Sequence, residues 1–393
     1  MTDEQTNFDV VVIGGGVVGS AAAFYLARRG ATVALLERGK VGGGTSSRSF
    51  TWINATSKVA DEAYHRLNAD GCVRYAALVE EYGAATIGWH QTGMLQCARR
   101  SNESDYAAMR EQAAYLTEYG YPHQLVSGAV LAALEPDIRF DEDTEAIYAT
   151  SDAWLDAPTF TGFLADRLRA MGSMVAERCA AEALAVDDDG TITGVTTEKG
   201  SFDAPKVLVA AGPDTPEVLA DLTGFGAFAA RFPMNRVPGL LMTTPATNRT
   251  RLLRRIVHVD SGADLLHIRP AAQGGVRLGA EDTDGLVSET SSRAVVDAAA
   301  DKLLSRAKDR LPAIVGDVDR GACDVAVGVR PYPSDGNTIA GGLPGSPGLY
   351  LIATHSGVTL APVLGALMAD VVIDGVRPAM LEPFSLDRFP GFG

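Results

Sequence analysis

The sequence predicts an α/β protein with two domains, one built on a parallel sheet and one α+β domain with a mainly antiparallel sheet. Its 393 residues exceed what a single hydrophobic core usually supports. Patterns of buried parallel strands and helices occur near the start, the middle and the end of the chain, whereas the segments between them alternate like antiparallel strands. One domain is therefore predicted to be assembled from separated segments, with the other inserted into it.

The predicted elements begin with a strand–helix–strand unit of about thirty residues. Residues 8–13 and 31–36 are apolar runs typical of buried parallel strands, and residues 17–29 form an alanine-rich helical pattern between them. Further helices are expected at 61–82, 105–119, 158–171, 294–310 and 357–374. Further strands are expected at 87–98, 207–210, 240–244, 256–259, 265–268, 276–280 and 349–352, with a β-meander formed by 174–176, 183–187 and 191–197.

Composition limits the classes of function. The net charge is −15, from 34 basic and 49 acidic residues, which disfavours binding to nucleic acid or anionic lipid. An anionic substrate would need positive charge supplied locally by its pocket. Cys72, Cys97, Cys179 and Cys323 are far apart and lack CxxC spacing, so we expect thiols in a reducing compartment. The polar N-terminus resembles no signal peptide, and no run of about 18 uncharged apolar residues occurs, so a cytoplasmic location without a membrane span is expected.

The strongest motif lies at the first strand–helix junction. Gly14, Gly16 and Gly19 match GxGxxG between a predicted strand and a predicted helix, the context in which this motif binds dinucleotides. The first glycine permits a tight turn, the second lets the backbone approach a pyrophosphate, and the third lets helix and strand pack closely. Glu37, at the end of the second strand, can bind ribose hydroxyls and would repel a 2′-phosphate. The motif disfavours NADP and leaves NAD and FAD open.

Three other segments are candidates for ligand contact. Residues 42–49 (GGGTSSRS) follow the second strand, and their hydroxyls and amides suit a pyrophosphate or a flavin, although alone they could form a flexible surface loop. Residues 328–336 read GVRPYPSDG, and residues 353–362 read ATHSGVTLAP before the last helix. An N-terminus of a helix at this last segment could stabilise negative charge. The patterns HExxH, GxSxG and GxxxxGK[ST] are absent from the sequence, so metalloprotease, esterase and P-loop functions have no support.

Together these segments resemble the D-amino acid oxidase family, which includes glycine oxidase, sarcosine oxidase and D-amino acid dehydrogenase-like members. The matching pieces are GGGVVGS, LLERG, GTSSRS, VLVAAG, GVRPYPSDG and THSGVTLAP, in the family's order from residue 10 to about residue 375. The resemblance implies a Rossmann-like FAD-binding domain made of residues 1–85, 150–222 and 325–393, and a substrate domain made of residues 86–149 and 223–324. It also implies oxidation of the carbon–nitrogen bond of an amine or amino acid by hydride transfer to flavin N5, followed by hydrolysis of the imine.

The resemblance also implies a set of cofactor-binding residues. Carried over by motif, they are Gly14, Gly16, Val17, Val18, Gly19, Glu37, Arg38, Thr45, Ser46, Ser47, Arg48, Phe50, Thr51, Trp52, Ala181, Ala211, Gly212, Arg330, His355, Ser356, Gly357, Val358 and Thr359. Gly328 falls near the cysteine of members that bind flavin covalently, so FAD is expected to be non-covalent.

Two residues are expected to act on the substrate. In the family, the arginine of the GxRP motif, here Arg330, binds the substrate carboxylate, and a guanidinium suits that role because it can form a bidentate pair. A purely structural ion pair is the alternative for this arginine. His267 stands where members often have a tyrosine three residues before a proline, so it either contacts the substrate or is a structural histidine. Trp52 either narrows the pocket or packs in the core.

Three functions therefore remain at the level of sequence. The first is flavin-dependent oxidation of an amine or amino acid, with oxygen or another acceptor taking the electrons. The second is a flavin-dependent 2-hydroxy acid dehydrogenase, which would use the same arginine. The third is a flavin-binding protein without this catalysis. An NAD-dependent dehydrogenase is disfavoured by the segments 328–336 and 353–362.

Overall fold

The computed structural model describes residues 7–223, 230–246, 253–259 and 265–392. Its α-helices in these ranges are Val17–Arg28, Glu62–Tyr82, Ala84–Ile87, Glu103–Glu118, Gly128–Leu134, Ala157–Ala170, Thr215–Thr223, Glu281–Asp284, Arg293–Arg310, Pro312–Val315 and Gly357–Asp374. Most long helices begin and end within two residues of their predicted limits. Side chains mark several of these ends: Asp61 caps Glu62–Tyr82 by accepting a hydrogen bond from the Tyr64 amide.

A six-stranded sheet forms the centre of the nucleotide-binding half. In spatial order its strands are Ile339–Gly342, Leu349–Ala353, Val207–Val209, Val10–Ile13, Val33–Glu37 and Met174–Glu177. All neighbours are parallel except Ile339–Gly342, which pairs antiparallel with Leu349–Ala353 at one edge. Val10–Ile13 is buried throughout, which explains its uninterrupted apolar sequence. The predicted assembly of this sheet from distant segments is confirmed.

Two helices pack closely on this sheet. Val17–Arg28 lies against Gly357–Asp374, and a side chain at Gly365 would come within 2.9 Å of the Ala21 carbonyl oxygen. Gly357–Asp374 is also long and apolar enough to cross a membrane, and it carries Asp370 within its length. Two thirds of that helix is buried in the protein, as in a core helix.

An eight-stranded sheet forms the second half. Its strands, in spatial order, are Asp324–Pro333, Met234–Thr243, Val276–Ala280, Leu266–Pro270, Ile256–Val259, Met94–Arg99, Thr144–Ala149 and Gln124–Ser127. The pairs are antiparallel except for the parallel pair of Ile256–Val259 with Met94–Arg99. The predicted boundary at residue 325 falls inside Asp324–Pro333, which pairs along its whole length with Met234–Thr243. We therefore propose that the substrate domain extends to Pro333.

The two faces of this sheet differ in chemistry. Apolar side chains of one face pack against Arg293–Arg310; among them are Leu240, Met242, Val257, Ile268 and Leu278. Because side chains alternate along a strand, basic residues share the opposite face. They are His258, His267, Arg269, Arg277 and Arg330. This face meets the nucleotide-binding half, since arginines on it bind the loop carrying residues 47–51. We call the space between the two halves the cleft.

Two three-stranded sheets complete the fold. One contains Ala181–Val186, Ile192–Thr197 and Gly200–Asp203, and the other contains Trp52–Ile53, Ala153–Leu155 and Trp89–His90. The predicted meander was wrong in its first strand, because Met174–Glu177 pairs in parallel with Val33–Glu37 instead. The strand predicted at 87–98 is interrupted. Gly88 adopts a φ of 69° between the helix Ala84–Ile87 and the strand Trp89–His90, and Gly93 adopts a φ of 70° just before the strand Met94–Arg99.

Candidate active site

The glycine-rich turn has the close contacts that its sequence predicts. Gly14 has a φ of 107°, and a Cβ there would lie 2.4 Å from the Ala210 carbonyl oxygen and 3.1 Å from the Ala211 Cα. A Cβ at Gly19 would lie 1.9 Å from the Gly14 carbonyl oxygen. At Gly16 a Cβ would meet only the Ser46 Oγ, at 3.3 Å. The first and third glycines are therefore required by packing, whereas the second leaves the backbone open to a ligand.

The N-terminus of Val17–Arg28 lies beside this open backbone. No side chain from its own first turn caps the helix, and the Val17 amide instead donates to the Ser46 Oγ at 2.9 Å. The final helix begins close by, since a Cβ at Gly357 would lie 3.0 Å from the Val18 Cγ2. The structure thus brings together the predicted residues at 16–19, Ser46 and Gly357. Free amides at the positive end of a helix fit a pyrophosphate.

Glu37 is held at the end of its strand by two backbone amides. Its Oε2 accepts from the Gly15 amide at 2.8 Å, and its Oε1 accepts from the Gly39 amide at 2.7 Å. Each oxygen keeps a further lone pair, which suits ribose hydroxyls. Next to it, Arg38 forms an ion pair with Asp214 at the surface. The Cys179 amide donates to the Glu37 carbonyl oxygen at 2.9 Å, so strand Ala181–Val186 begins near this carboxylate. These contacts fit the adenosine half of a dinucleotide.

The loop at residues 45–51 joins the two halves. Thr45 Oγ1 donates to the Val329 carbonyl oxygen at 2.6 Å, and the Arg48 carbonyl oxygen would lie 1.9 Å from a Cβ at Gly328. Gly328 is therefore a packing requirement of this contact. Arg48 itself has an exposed side chain. Thr51 adopts a φ of 56°, a left-handed conformation that a β-branched residue rarely takes.

Two arginines that the sequence did not single out hold this loop. Arg269 is buried, and its Nε donates to the Phe50 carbonyl oxygen at 2.6 Å. Its Nη2 donates to the Thr51 Oγ1 at 3.0 Å, and its guanidinium lies 4.5 Å from the Trp154 ring centre. Arg277 lies opposite Arg269 on the neighbouring strand, and its Nη2 donates to the Ser47 carbonyl oxygen at 3.2 Å. Burial lowers the pKa of both arginines. They fix the strained loop by charge-assisted hydrogen bonds.

Trp52 packs in the core and also reaches the cleft-facing side of the large sheet, while its role in narrowing a substrate pocket stays a prediction. Its Nε1 donates to the Asp152 Oδ2 at 3.1 Å, which anchors the ring in the core. Its ring also meets the His258 ring edge-on at 4.5 Å, on the cleft-facing side of the large sheet. Asp152 further accepts hydrogen bonds from Thr56 and Tyr121, both at 2.8 Å, and burial raises its pKa to about 7.

Arg330 forms an ion pair and keeps one donor nitrogen. Its Nη2 donates to the Asp284 Oδ2 at 2.8 Å and to the Pro238 carbonyl oxygen at 3.1 Å, and its Nε donates to the Val237 carbonyl oxygen at 3.4 Å. Its Nη1 has no hydrogen-bond partner among the described residues. Gly239 makes room for the pair, since a Cβ there would lie 2.9 Å from Asp284. The side chain is 32% exposed, so Nη1 can serve a ligand.

His267 belongs to a row of three side chains, in which His258 and His267 lie on one sheet face and Glu281 begins the helix Glu281–Asp284. Its Nδ1 lies 3.0 Å from the His258 Nε2, and its Nε2 lies 3.3 Å from the Glu281 Oε1. Phe50 flanks the row, with its ring centre 5.7 Å from that of His267. The hydrogen bond from His267 lowers the pKa of Glu281. His258 and Glu281 were not predicted as site residues. His258 lay in a predicted strand, where it alternates with the apolar residues Val257 and Val259 and so lies on the opposite face.

Lys58 adds positive charge close to His258 and His355. Burial lowers the pKa of Lys58 to about 8, and its ammonium has no ion-pair partner in the part of the chain that is described. Burial, followed by the charges of Lys58 and Arg330, lowers the pKa of His355 to about 3. The His355 ring lies 4.7 Å from that of Tyr332. Lys58 was missed because no motif or periodicity marks it.

The remaining predicted residues lie at the junction of the last helix with the loop. Thr359 Oγ1 donates to the Trp52 carbonyl oxygen at 3.2 Å, and the Val358 carbonyl oxygen accepts from the Tyr75 hydroxyl at 2.8 Å. Gly212 adopts a φ of 60° in the turn after Val207–Val209. Segments more than three hundred residues apart in the sequence therefore come into contact, as at Val18 with Gly357 and at Trp52 with Thr359, and their role in binding a cofactor stays a prediction.

Comparisons with known proteins agree with this geometry. The profile of the DAO family, described as FAD dependent oxidoreductase, matches residues 9–371. The chain is 27% identical over 391 residues to glycine oxidase from Geobacillus kaustophilus, covering 98% of each chain. It is 26% identical over 423 residues to D-amino acid dehydrogenase from Cereibacter sphaeroides, covering 94% of this chain and 92% of that protein. The crystal structure of the Geobacillus glycine oxidase superposes with a TM-score of 0.82 at 26% identity, covering 98% of this chain and all of that one. The chain therefore belongs to the DAO family of FAD-dependent oxidoreductases.

Proposed function

We propose that this enzyme oxidises the carbon–nitrogen bond of a small amine or amino acid that carries a carboxylate. The cofactor is FAD, and its relatives include amino acid oxidases and dehydrogenases. When bound, FAD would supply an acceptor for a hydride from the carbon next to nitrogen, and water would hydrolyse the imine that results. The observation that carries the substrate class is Arg330, which keeps Nη1 available on the cleft-facing side of the sheet.

The residues described above would fit FAD along its length. Glu37 would bind the adenosine ribose, and the amides at the start of Val17–Arg28 would bind the pyrophosphate. The loop at 45–52 and the segment 355–359 would border the flavin. Binding would be non-covalent at residue 328, because the 1.9 Å approach of the Arg48 carbonyl oxygen leaves no space for a reactive side chain there.

The substrate would be oriented by a few side chains. Arg330 would bind the carboxylate through Nη1, and Asp284 would hold the guanidinium in place without using that nitrogen. Trp52 and His267 would border the amine end, because both lie beside His258 on the same face. This arrangement supports a carboxylate-bearing substrate, which would find a positive pocket on an acidic protein. We also propose a cytoplasmic location, in line with the reduced state expected of the cysteines.

The substitution Arg330→Ala tests the carboxylate contact. FAD should remain bound. The loss of a charge-assisted contact should weaken substrate binding by about 3 kcal/mol, which raises KM for the true substrate roughly 150-fold. Arg66→Ala, which removes only a surface pair with Glu62, provides the control. Steady-state kinetics with an unchanged KM in the Arg330 variant would rule out this assignment.

The substitution Gly16→Val tests the placement of the pyrophosphate. The protein itself should fold, since a Cβ at Gly16 meets only one hydroxyl, but it should be purified without flavin absorbance. A yellow variant that retains FAD would contradict the placement.

An anaerobic screen identifies the reaction. Amino acids, N-methyl amino acids, amines and 2-hydroxy acids are added in turn, and bleaching of the flavin absorbance is recorded. Bleaching by amines or amino acids supports the proposal, whereas bleaching by 2-hydroxy acids alone would favour a hydroxy acid dehydrogenase using the same arginine. Bleaching by no compound would favour a flavin-binding protein without this catalysis.

A further inference from the structure

The row formed by His258, His267 and Glu281 connects the cleft wall with the surface. His258 is 3% exposed, whereas the Glu281 side chain is 49% exposed. His267 lies between them and makes both contacts, at 3.0 Å and 3.3 Å. Hydrogen-bonded imidazoles can pass a proton from one ring nitrogen to the other. The row therefore has the geometry of a proton path between a buried and a solvated group.

The carboxylate at the exposed end sets the direction of every hydrogen bond in the row. An ionised Glu281 can only accept, so the proton of neutral His267 must lie on Nε2. The Nδ1 of His267 then has a lone pair and accepts from the His258 Nε2–H. As a result, His258 Nδ1 carries a lone pair. No described residue donates a hydrogen bond to that nitrogen.

The surroundings keep His258 in its basic form. Burial lowers its pKa well below the ordinary value, and the nearby charge of Lys58 acts in the same direction. Trp52 lies against the ring at 4.5 Å, and Phe50 lies 6.2 Å away. At neutral pH the imidazole is therefore uncharged, and it can take a proton on Nδ1 only as its Nε2 proton passes to His267.

Other charged groups near the row have separate partners or states. Arg330 is paired with Asp284, and burial lowers the pKa of His355 to about 3, so that ring is neutral and is not linked to the row by a hydrogen bond among the described residues. Lys58 has a pKa lowered to about 8, so at neutral pH most of it is protonated and cannot accept a proton. Of these groups, His258 is the one whose free lone pair continues into a path to solvent.

We propose that His258 accepts the proton released by the substrate ammonium group and that His267 and Glu281 carry it to solvent. The proposal rests on the proposed function, because an amine can lose a hydride from carbon only when its nitrogen lone pair is free. The ammonium N–H bond breaks and its electron pair stays on nitrogen, while Nδ1 of His258 gains the proton. The Nε2 proton of His258 passes to His267, and the Nε2 proton of His267 passes to Glu281. The hydride then leaves the neutral amine for FAD.

Rapid-mixing measurements of flavin reduction over a range of pH test this relay. Glycine, sarcosine, D-alanine and L-proline are compared anaerobically, and the one that reduces the wild type fastest is used for all variants. His258→Asn and Glu281→Gln should slow flavin reduction about 100-fold near pH 7, at the lower end of the usual contribution of a general base. The deficit should shrink to about twofold near pH 10, where the free amine is abundant without enzymatic help.

Matched variants separate a relay from a structural role. His123→Asn and Glu62→Gln change residues outside the cleft and should leave the rates unaltered. A loss that stays the same at every pH would overturn the relay. So would a pH-dependent loss in Lys58→Met that is missing from His258→Asn. If His258→Asn fails to fold, the rates of Glu281→Gln still test the relay, since Glu281 lies at the exposed end of the row, where the substitution should be tolerated.

Nitrogen NMR of the FAD-loaded protein tests the hydrogen-bond direction without any substrate. The chain has six histidines, and the spectra of His258→Asn and His267→Asn assign the two that matter. Both rings should be neutral with the proton on Nε2 near pH 7. A proton on Nδ1 of His258 would overturn the relay. If no amine or amino acid in the wider screen reduces the wild type, the proposed function fails, whereas the spectra still show whether the row has the stated direction.

Discussion

Two arginines on the cleft-facing side of the large sheet are held in different ways. On the inner strand Leu266–Pro270, Arg269 is buried and has no carboxylate within ion-pair distance in the described chain, and each of its nitrogens donates to a backbone or hydroxyl oxygen. The buried carboxylate of Asp152 is likewise bound by neutral donors. On the edge strand Asp324–Pro333, the partly exposed Arg330 pairs directly with Asp284, and one arginine nitrogen stays available.

The difference indicates that one arginine supports a loop and that the other is able to bind a ligand. A guanidinium whose donors are all used by neutral dipoles cannot bind a ligand without breaking internal contacts, so Arg269 serves to hold the loop at Phe50. A guanidinium neutralised by one carboxylate oxygen keeps part of its fork for an incoming carboxylate. Exposure agrees, because Arg269 is 4% exposed while the Arg330 side chain is 32% exposed.

The largest expected effect is that of Arg269→Met. It leaves the Phe50 carbonyl oxygen and the Thr51 hydroxyl without their donors, so the free energy of unfolding should fall by about 4 kcal/mol. Urea unfolding followed by fluorescence measures the change. Arg66→Met, at an exposed surface pair, should change stability by less than about 0.5 kcal/mol. A stable Arg269 variant with normal flavin content would show that the loop does not depend on this arginine.

A second effect arises from the pH dependence of stability at Asp152. Burial raises the pKa of Asp152 from 3.8 to about 7, so the folded protein binds a proton more tightly than the unfolded chain does. This contribution is complete below about pH 4 and is lost as the pH rises towards 7, by on the order of 3 kcal/mol. Urea titrations at several pH values should show that loss in the wild type.

Two variants check its origin. Asp152→Asn should flatten the slope between about pH 4 and pH 7, because the titrating group is gone. Glu135 is also buried, and burial raises its pKa to about 7, so Glu135→Gln should remove a further part of the slope. An unaltered slope in Asp152→Asn would mean that this carboxyl group titrates as it does in the unfolded chain.

The smallest expected effect concerns the pair of Arg330 with Asp284 and tests whether Arg330 binds a ligand. Asp284→Asn removes the charge opposite Arg330, and its single side-chain oxygen can accept from the Leu240 amide or from Arg330 Nη2 but not from both. If Arg330 binds carboxylates, affinity for a simple carboxylate such as acetate should rise by about 1 kcal/mol, or roughly fivefold. Titration of the flavin absorbance with acetate measures this affinity. Unchanged affinity would indicate that Arg330 is a structural residue alone.

Parts of the site could be predicted because their cause is local. The GxGxxG turn and Glu37 are readable in sequence, since each follows directly from a strand end or a helix start. Arg269 and Lys58 could not be predicted, because no motif marks them and their surroundings come from distant segments. His258 was within reach of strand alternation, but its pairing with His267 required the register of two strands.

By itself, the sequence determined the family, the FAD cofactor and the assembly of the parallel sheet from separated segments, because short-range patterns of glycine, burial and helix starts encode them. Only the tertiary structure decided which charges meet. Arg330 finds Asp284 across 46 residues and Arg269 finds Phe50 across 219 residues. Such contacts depend on how sheets and loops pack in space. The sequence around a charged residue does not indicate which residue it will contact after folding.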